Sequence, residues 1–287
     1  MVIKSRFGIC ALSIWGGLLC TGTALAHENE VRMIVDHQQR CFISNSVPDH
    51  DTGTFPNAGN PHSIQPQDIR VCVPGKPPWT PGTVPQYHRG PIGIAINGVL
   101  FRPGTADYYD ATSRRGFSRD PGSGWNLDGM GARDLLGLDE NNAHVDERGL
   151  YHYHGVADAL IASTRATLIG YAADGYDIHF VDGRKTSSYR LKEGNRPTAP
   201  FGPYDGTYNE DWEYEPGSGD LDECNGGRNL YGRFVYYASE SYPFLPRCLW
   251  GEISPDFTHR GPPRNGSARE GRRGEGFPPG GPPPPRR

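Results

Sequence analysis

Apolar residues in this chain come in short runs broken by clusters of Gly, Pro, Asn and Asp, and no long stretch keeps helical periodicity. That pattern predicts a loop-rich β fold. The runs Val31–Val35, Cys41–Ser46, Ile69–Val73, Ile92–Ile96, Val99–Phe101, Leu150–His154, Leu168–Tyr171, Ile178–Val181 and Arg233–Tyr237 read as strands. Asp158–Thr167 reads as one short helix, and the Pro-rich stretch from Asp49 to Pro85 as irregular chain wrapping the sheet.

The pattern also repeats within the chain. Ile92-Gly93-Ile94-Ala95-Ile96-Asn97-Gly98 returns as Ile169-Gly170-Tyr171-Ala172-Ala173-Asp174-Gly175. Each is a short strand ending in Asn-Gly or Asp-Gly, residues that tolerate positive φ and so predict a tight hairpin. Leu138-Asp139-Glu140-Asn141-Asn142 returns as Leu221-Asp222-Glu223-Cys224-Asn225. From there the spacing holds at 83 residues, setting Gly149 on Gly232, Tyr151 on Phe234 and Tyr153 on Tyr236. The expected architecture is mainly β and disulfide-containing, with few short helices. Two pseudo-symmetric copies of a hairpin-plus-aromatic-strand unit, about 90–160 and 167–245, would cover each other's apolar faces.

The ends differ from this body. Lys4 and Arg6 precede an apolar stretch from Phe7 to Cys20, and Ala24-Leu25-Ala26 supplies the small residues of a cleavage site. Residues 1–26 therefore read as a signal peptide and 27–260 as the body of a periplasmic or extracellular protein. The apolar stretch is too short for a permanent membrane anchor. In residues 261–287, 15 of 27 are Gly or Pro, a composition that predicts disorder. This tail holds six Arg against two Glu, so the body is more acidic than the formal −4 of the whole chain. An acidic body argues against nucleic-acid binding, while the basic tail suits contact with anionic surfaces.

Once the leader is removed, Cys41, Cys72, Cys224 and Cys248 remain. In an exported chain they read as two disulfides with three connectivities open. Pairing within local segments, Cys41 with Cys72 and Cys224 with Cys248, is favoured. None lies in a C-x-x-C pair, which speaks against a thiolate zinc site.

Candidate chemistry concentrates in the first copy. Its aromatic strand reads Tyr151-His152-Tyr153-His154, with His144 in the loop before it. At the 83-residue spacing these histidines become Gly227, Val235 and Tyr237. The shared scaffold thus folds without histidine at those places. Alternation on a strand sends His152 and His154 to one face and Tyr151 and Tyr153 to the other. With His144 they offer three imidazoles and an open fourth position, a donor set for copper or zinc. Asp139, Glu140, Asp146 and Asp174 are candidates to orient the rings or to act as general base. The competing reading has the histidines hydrogen-bonded within the fold. The Asp49-His50-Asp51 run and His62 could add ligands. Asp220, Asp222 and Glu223 form an acidic run, for which calcium is the weaker expectation. No Gly-x-Ser-x-Gly elbow, P-loop or dinucleotide fingerprint is present.

Tyr151-His152-Tyr153-His154 followed by Gly155 resembles the signature of the YHYH-domain family. Gly90-Pro91-Ile92-Gly93 with Asn97-Gly98, Leu168 to Ala172 with Asp174-Gly175, and Leu221 to Gly226 extend the resemblance over roughly Arg40 to Gly251. It implies a secreted or surface-exposed bacterial protein and implies no particular reaction. Similar proteins often carry a cysteine in the first acidic loop, where this chain has Asn141. Three function classes follow: a metal site serving metal handling or metal-dependent hydrolysis, a non-catalytic module for cell wall or polysaccharide, and a structural surface protein.

Overall fold

A computed structural model describes residues 27–78, 81–164 and 166–258. The leader and tail expectations, residues 1–26 and 261–287, lie outside the described residues. Among the described residues the fold is mainly β, with three short α-helices and two disulfides.

The chain opens with a three-stranded sheet of β1 (Val31–Val35), β2 (Gln39–Ser44) and β3 (Ile69–Pro74). Next come β4 (Gln86–Tyr87), β5 (Gly93–Ala95), β6 (Leu100–Phe101), β7 (Gly104–Tyr109), β8 (Phe117–Ser118) and β9 (Asn126–Asp128). Helix α1 (Arg133–Leu136), β10 (Ala143–Val145), β11 (Tyr151–Tyr153) and α2 (Asp158–Thr164) follow. The later strands are β12 (Leu168–Ala172), β13 (Asp177–His179), β14 (Tyr189–Leu191), β15 (Trp212–Tyr214), β16 (Gly226–Arg228), β17 (Phe234–Tyr237) and β18 (Cys248–Leu249), before α3 (Pro255–Thr258).

An eight-stranded sheet carries the site, in the order β10-β11-β6-β5-β12-β13-β17-β16. Its central pair β5–β12 is antiparallel, as are β5–β6 and β12–β13. Outward on each side comes a parallel pair, β6–β11 and β13–β17, then an antiparallel edge, β10–β11 and β16–β17. The senses of pairing therefore read the same from either edge. Hydrogen bonds also recur at the 83-residue spacing. Asp139 Oδ1 accepts from the backbone N–H groups of Asn141 (3.0 Å) and Ala143 (3.1 Å). Asp222 Oδ1 accepts from those of Cys224 (3.0 Å) and Gly226 (2.7 Å). The next residues, Asn142 (φ 56°) and Asn225 (φ 58°), take the left-handed conformation that asparagine tolerates.

Apolar packing covers both faces of the large sheet. Phe101, Tyr151, Tyr153, Ile178 and Tyr236 are buried on one, and Ile94 and Tyr171 on the other, where Phe42 of the three-stranded sheet packs against Tyr171. A smaller cluster of Phe117, Trp125, Leu127, Leu136 and Tyr208 gathers around β8, β9 and α1. The disulfides pair Cys41 with Cys72 across β2 and β3, and Cys224 with Cys248, as favoured from the sequence. All five residues of β1 are exposed, as are both residues of β4.

The tight turns after β5 and β12 differ from expectation in one respect. Only the glycines take positive φ, Gly98 at 84° and Gly175 at 90°. The residues before them act through their side chains instead. Asn97 Nδ2 donates to Asp49 Oδ1 (2.8 Å) and to the Tyr153 hydroxyl (3.0 Å), and Asp174 Oδ2 accepts from the Tyr236 hydroxyl (2.7 Å).

Candidate metal centre

His144 lies on β10 rather than in a loop, directly opposite His152 on β11. Alternation along β11 sends Tyr151 and Tyr153 into the core and leaves His152 and His154 side by side on the opposite face. That face is covered too: His152 is 2% and His154 1% exposed. The chain after β9 closes over His154, since a Cβ on Gly129 would lie 2.3 Å from His154 Nδ1. Glycine is required there by close approach.

The three rings converge on their Nε2 atoms. His154 Nε2 stands 3.1 Å from His144 Nε2 and 3.1 Å from His152 Nε2. Each Nδ1 points away, to a backbone carbonyl: Leu136 for His144 (2.9 Å), Leu150 for His152 (3.0 Å) and Pro103 for His154 (3.3 Å). A carbonyl oxygen can only accept, so each Nδ1 carries the proton and each Nε2 presents a lone pair. Three lone pairs then face one another with no proton between them. Burial reinforces this state by disfavouring the cation. It pushes His144 down to about 4. It also holds His152 and His154 well below the ordinary value, with His144 beside both adding to the effect.

Such an arrangement could hold a metal ion at the centre. A metal 2.0–2.1 Å from three nitrogens at tetrahedral angles needs them about 3.3 Å apart; two of the three pairs here stand at 3.1 Å, and all three ligand atoms lie within 4.8 Å of one another. Among the described residues these three form the one group of His, Cys, Asp or Glu with metal-holding spacing.

The candidate carboxylates occupy other places. Asp139 is turned toward the tyrosine side, where Oδ2 accepts from the Tyr151 hydroxyl (2.8 Å) and the Gly53 N–H (3.2 Å). Glu140 follows it in the same turn and is exposed. Asp174 belongs to the other end of the sheet, against Tyr236 and the Gly251 N–H (2.9 Å). Asp146 alone lies by the histidines, and it is held by Arg102 (3.3 Å) and Arg148 (3.1 Å). The orienting groups are therefore backbone carbonyls, which leave no mark in a sequence.

Other candidates are also placed. His50 lies on the tyrosine side, its Nε2 accepting from the Tyr153 hydroxyl (2.7 Å). His62 is close enough to His144 to influence its ionisation. The Asp222 carboxylate caps its own turn and accepts from Trp250 Nε1 (2.9 Å), while Asp220 accepts from Thr186. Sequence reasoning missed Arg102, the Pro103 carbonyl, Gly129, and Arg247, which donates to both the Pro103 carbonyl (3.1 Å) and Asp128. Two surface clefts, near 620 and 440 Å³, are lined by other residues, among them Tyr87 and Trp250 in the first and Tyr109 and Thr198 in the second.

Fold and site together define a β-rich, disulfide-stapled protein that gathers three neutral imidazoles under one face of its main sheet. The chain belongs to the YHYH protein family, whose sequence model matches residues 70–251. No curated protein and no solved structure matches it.

Proposed function

We propose that this YHYH protein holds one copper or zinc ion on His144, His152 and His154. The observation that carries the reading is the tautomer set: three Nδ1–H groups spent on carbonyls leave three Nε2 lone pairs facing one another. Neutral imidazoles suit either metal. Both cysteine pairs are oxidised, so no thiolate competes.

Metal holding is the primary role. Metal-dependent hydrolysis is the second reading, because a bound ion would acidify a water at the open position. It is the weaker one, since the nearby carboxylate, Asp146, is engaged by two arginines and is a poor base. Recognition of wall polysaccharide would draw on exposed aromatics, but Tyr87, Phe201 and Tyr231 stand in three separate segments.

The protein acts outside the cytoplasm, as a body of residues 27–260 beginning at His27, with 261–287 as a basic tail. Two disulfides support this, and no helix of the described residues is long and apolar enough to cross a membrane. Elemental analysis of protein purified from its own host, beside His152→Ala and His154→Ala, tests the metal. Near-stoichiometric copper or zinc, lost in both variants, is expected; no metal and no uptake on addition would overturn it. N-terminal sequencing of the same sample should begin at His27.

A further inference from the structure

The position left open by the three imidazoles has a distinct electrostatic setting. β6 runs parallel to β11, with Leu100 level with His152 and Phe101 level with Tyr153. Phe101 and Tyr153 share the core face, their rings 5.9 Å apart. One residue further, the Arg102 N–H donates to the Tyr153 carbonyl (2.8 Å). By alternation, Arg102 emerges on the histidine face, level with His154. It is close enough for its charge to act on all three imidazoles.

Asp146 is shared between Arg102 and Arg148, and Asp107 also lies close enough to Arg102 to act on its charge. Arg247, the other cation acting on His154, is matched by Asp128. The imidazoles are neutral, so a divalent ion would leave a surplus of positive charge in a largely desolvated place. The Arg102 side chain remains 26% exposed and commits a single N–H, at the long distance of 3.3 Å, to Asp146. A guanidinium has five N–H donors in a planar fork that matches an oxyanion. At the other end of the sheet the place level with Tyr237 is His179, which bonds Thr167 Oγ1 (2.9 Å). The arginine, like the three histidines, is confined to one end.

Resting on the metal reading, we propose that the open position takes a small oxyanion, a carboxylate or phosphate group, that bridges the metal and the Arg102 guanidinium. The approach is from the side of His144 and Arg102, because His152 and His154 are covered. The bound group would offset the charge the ion brings and be gripped by charge-assisted hydrogen bonds.

Cobalt(II) in place of the native ion gives visible bands that report its ligands. The cobalt-loaded protein is titrated with inorganic phosphate and, separately, with acetate. Saturable band shifts are expected with at least one of them, and which one responds identifies the preferred oxyanion. Arg102→Met should weaken that response about tenfold or more while cobalt uptake stays complete. Arg102→Lys, keeping charge without the fork, should fall between. Asp146 retains Arg148 in both variants, so the local fold has support. A wild type whose bands ignore both anions, or an Arg102→Met protein that titrates like wild type, overturns the proposal and leaves the metal reading intact. A protein that takes up no cobalt overturns both.

Discussion

The two ends of the eight-stranded sheet share a backbone frame and differ in what hangs from one of its faces. At one end β10, β11 and β6 present His144, His152, His154 and Arg102; at the other, β16, β17 and β13 present Gly227, Val235, Tyr237 and His179 at the corresponding places. The turn before each edge hairpin is capped alike, by Asp139 and by Asp222. The core-facing aromatics persist as Tyr151 and Tyr153, and as Phe234 and Tyr236. Beyond the core, Val235 and Tyr237 close a small apolar cluster with Leu221. The two ends thus share their caps and their buried aromatics and differ at the four places where one carries histidines and an arginine.

The most severe way to break the comparison is to make the two ends alike. In the combined variant His144→Gly, His152→Val and His154→Tyr, the histidine end receives the residues of the other end. Zinc at a thousandfold excess over its dissociation constant should stabilise the wild type by about 4 kcal/mol and this variant not at all. Urea unfolding with zinc and with chelator measures both. A variant that gains the same stability from zinc as wild type would place the metal elsewhere.

The caps test the shared frame at a smaller scale. Asp139 is 6% exposed and accepts from three backbone N–H groups and the Tyr151 hydroxyl. Asp139→Ala leaves those donors unmatched and should lose about 3 kcal/mol. Asp222, less buried, accepts from two backbone N–H groups and Trp250. Asp222→Ala should lose about half as much. Equal losses would mean that burial does not separate the two ends.

How much of this was legible depends on which atoms do the work. Long apolar runs such as Ile69–Pro74 and Leu168–Ala172 declared themselves because side-chain alternation and turn residues bound them. β7, β8 and β9 did not, since Gly, Asp and Ser dilute their pattern and much of their order comes from side chains such as Asn126, which donates to the Asp107 carbonyl (2.9 Å). His144 read as loop because Ala143–Val145 is a strand too short to show alternation. The histidine trio was visible through its contrast with Gly227, Val235 and Tyr237. Its orienting groups were not, because carbonyls of Leu136, Leu150 and Pro103 belong to the backbone and could sit under any side chain.

Titration separates the ends next. The Tyr153 hydroxyl meets the neutral amide of Asn97, whereas the Tyr236 hydroxyl meets the carboxyl of Asp174. Burial pushes Asp174 up to about 6 from its ordinary 3.8. Between those values the folded protein keeps a proton that the unfolded chain has released, so this group's contribution to stability falls as pH rises through the window. Asp174→Asn keeps an oxygen for Tyr236 and Gly251, and should gain on the wild type by roughly 2 kcal/mol between pH 4 and pH 7. In metal-free protein His144 works in the opposite sense. The unfolded chain takes up a proton near 6.5 that the folded ring refuses until about 4, so stability falls as pH falls across that range. Parallel stability profiles for Asp174→Asn and wild type would show that Asp174 does not titrate there.

The smallest change sharpens the contrast most directly. Gly129 leaves room for the His154 ring, and an added Cβ would lie 2.3 Å from Nδ1 and 2.9 Å from the His154 Cβ. Neither the strand carrying His154 nor the Pro103 carbonyl beneath its ring can yield freely, so Gly129→Ala should tilt the ring and turn its Nε2 from the common centre. Metal affinity, read by competition with a chromophoric chelator, should fall about tenfold, and stability by about 1 kcal/mol. Gly227→Ala is the control at the other end. Its added Cβ meets Leu221 Cδ2 at 3.2 Å and Tyr237 Cε2 at 3.6 Å, far longer than the 2.3 Å at Gly129. Unchanged metal affinity in Gly227→Ala together with the loss in Gly129→Ala would tie the binding geometry to one end of the sheet. Equal affinity in both would mean that the ring over Gly129 moves without consequence, and that His154 is not a ligand.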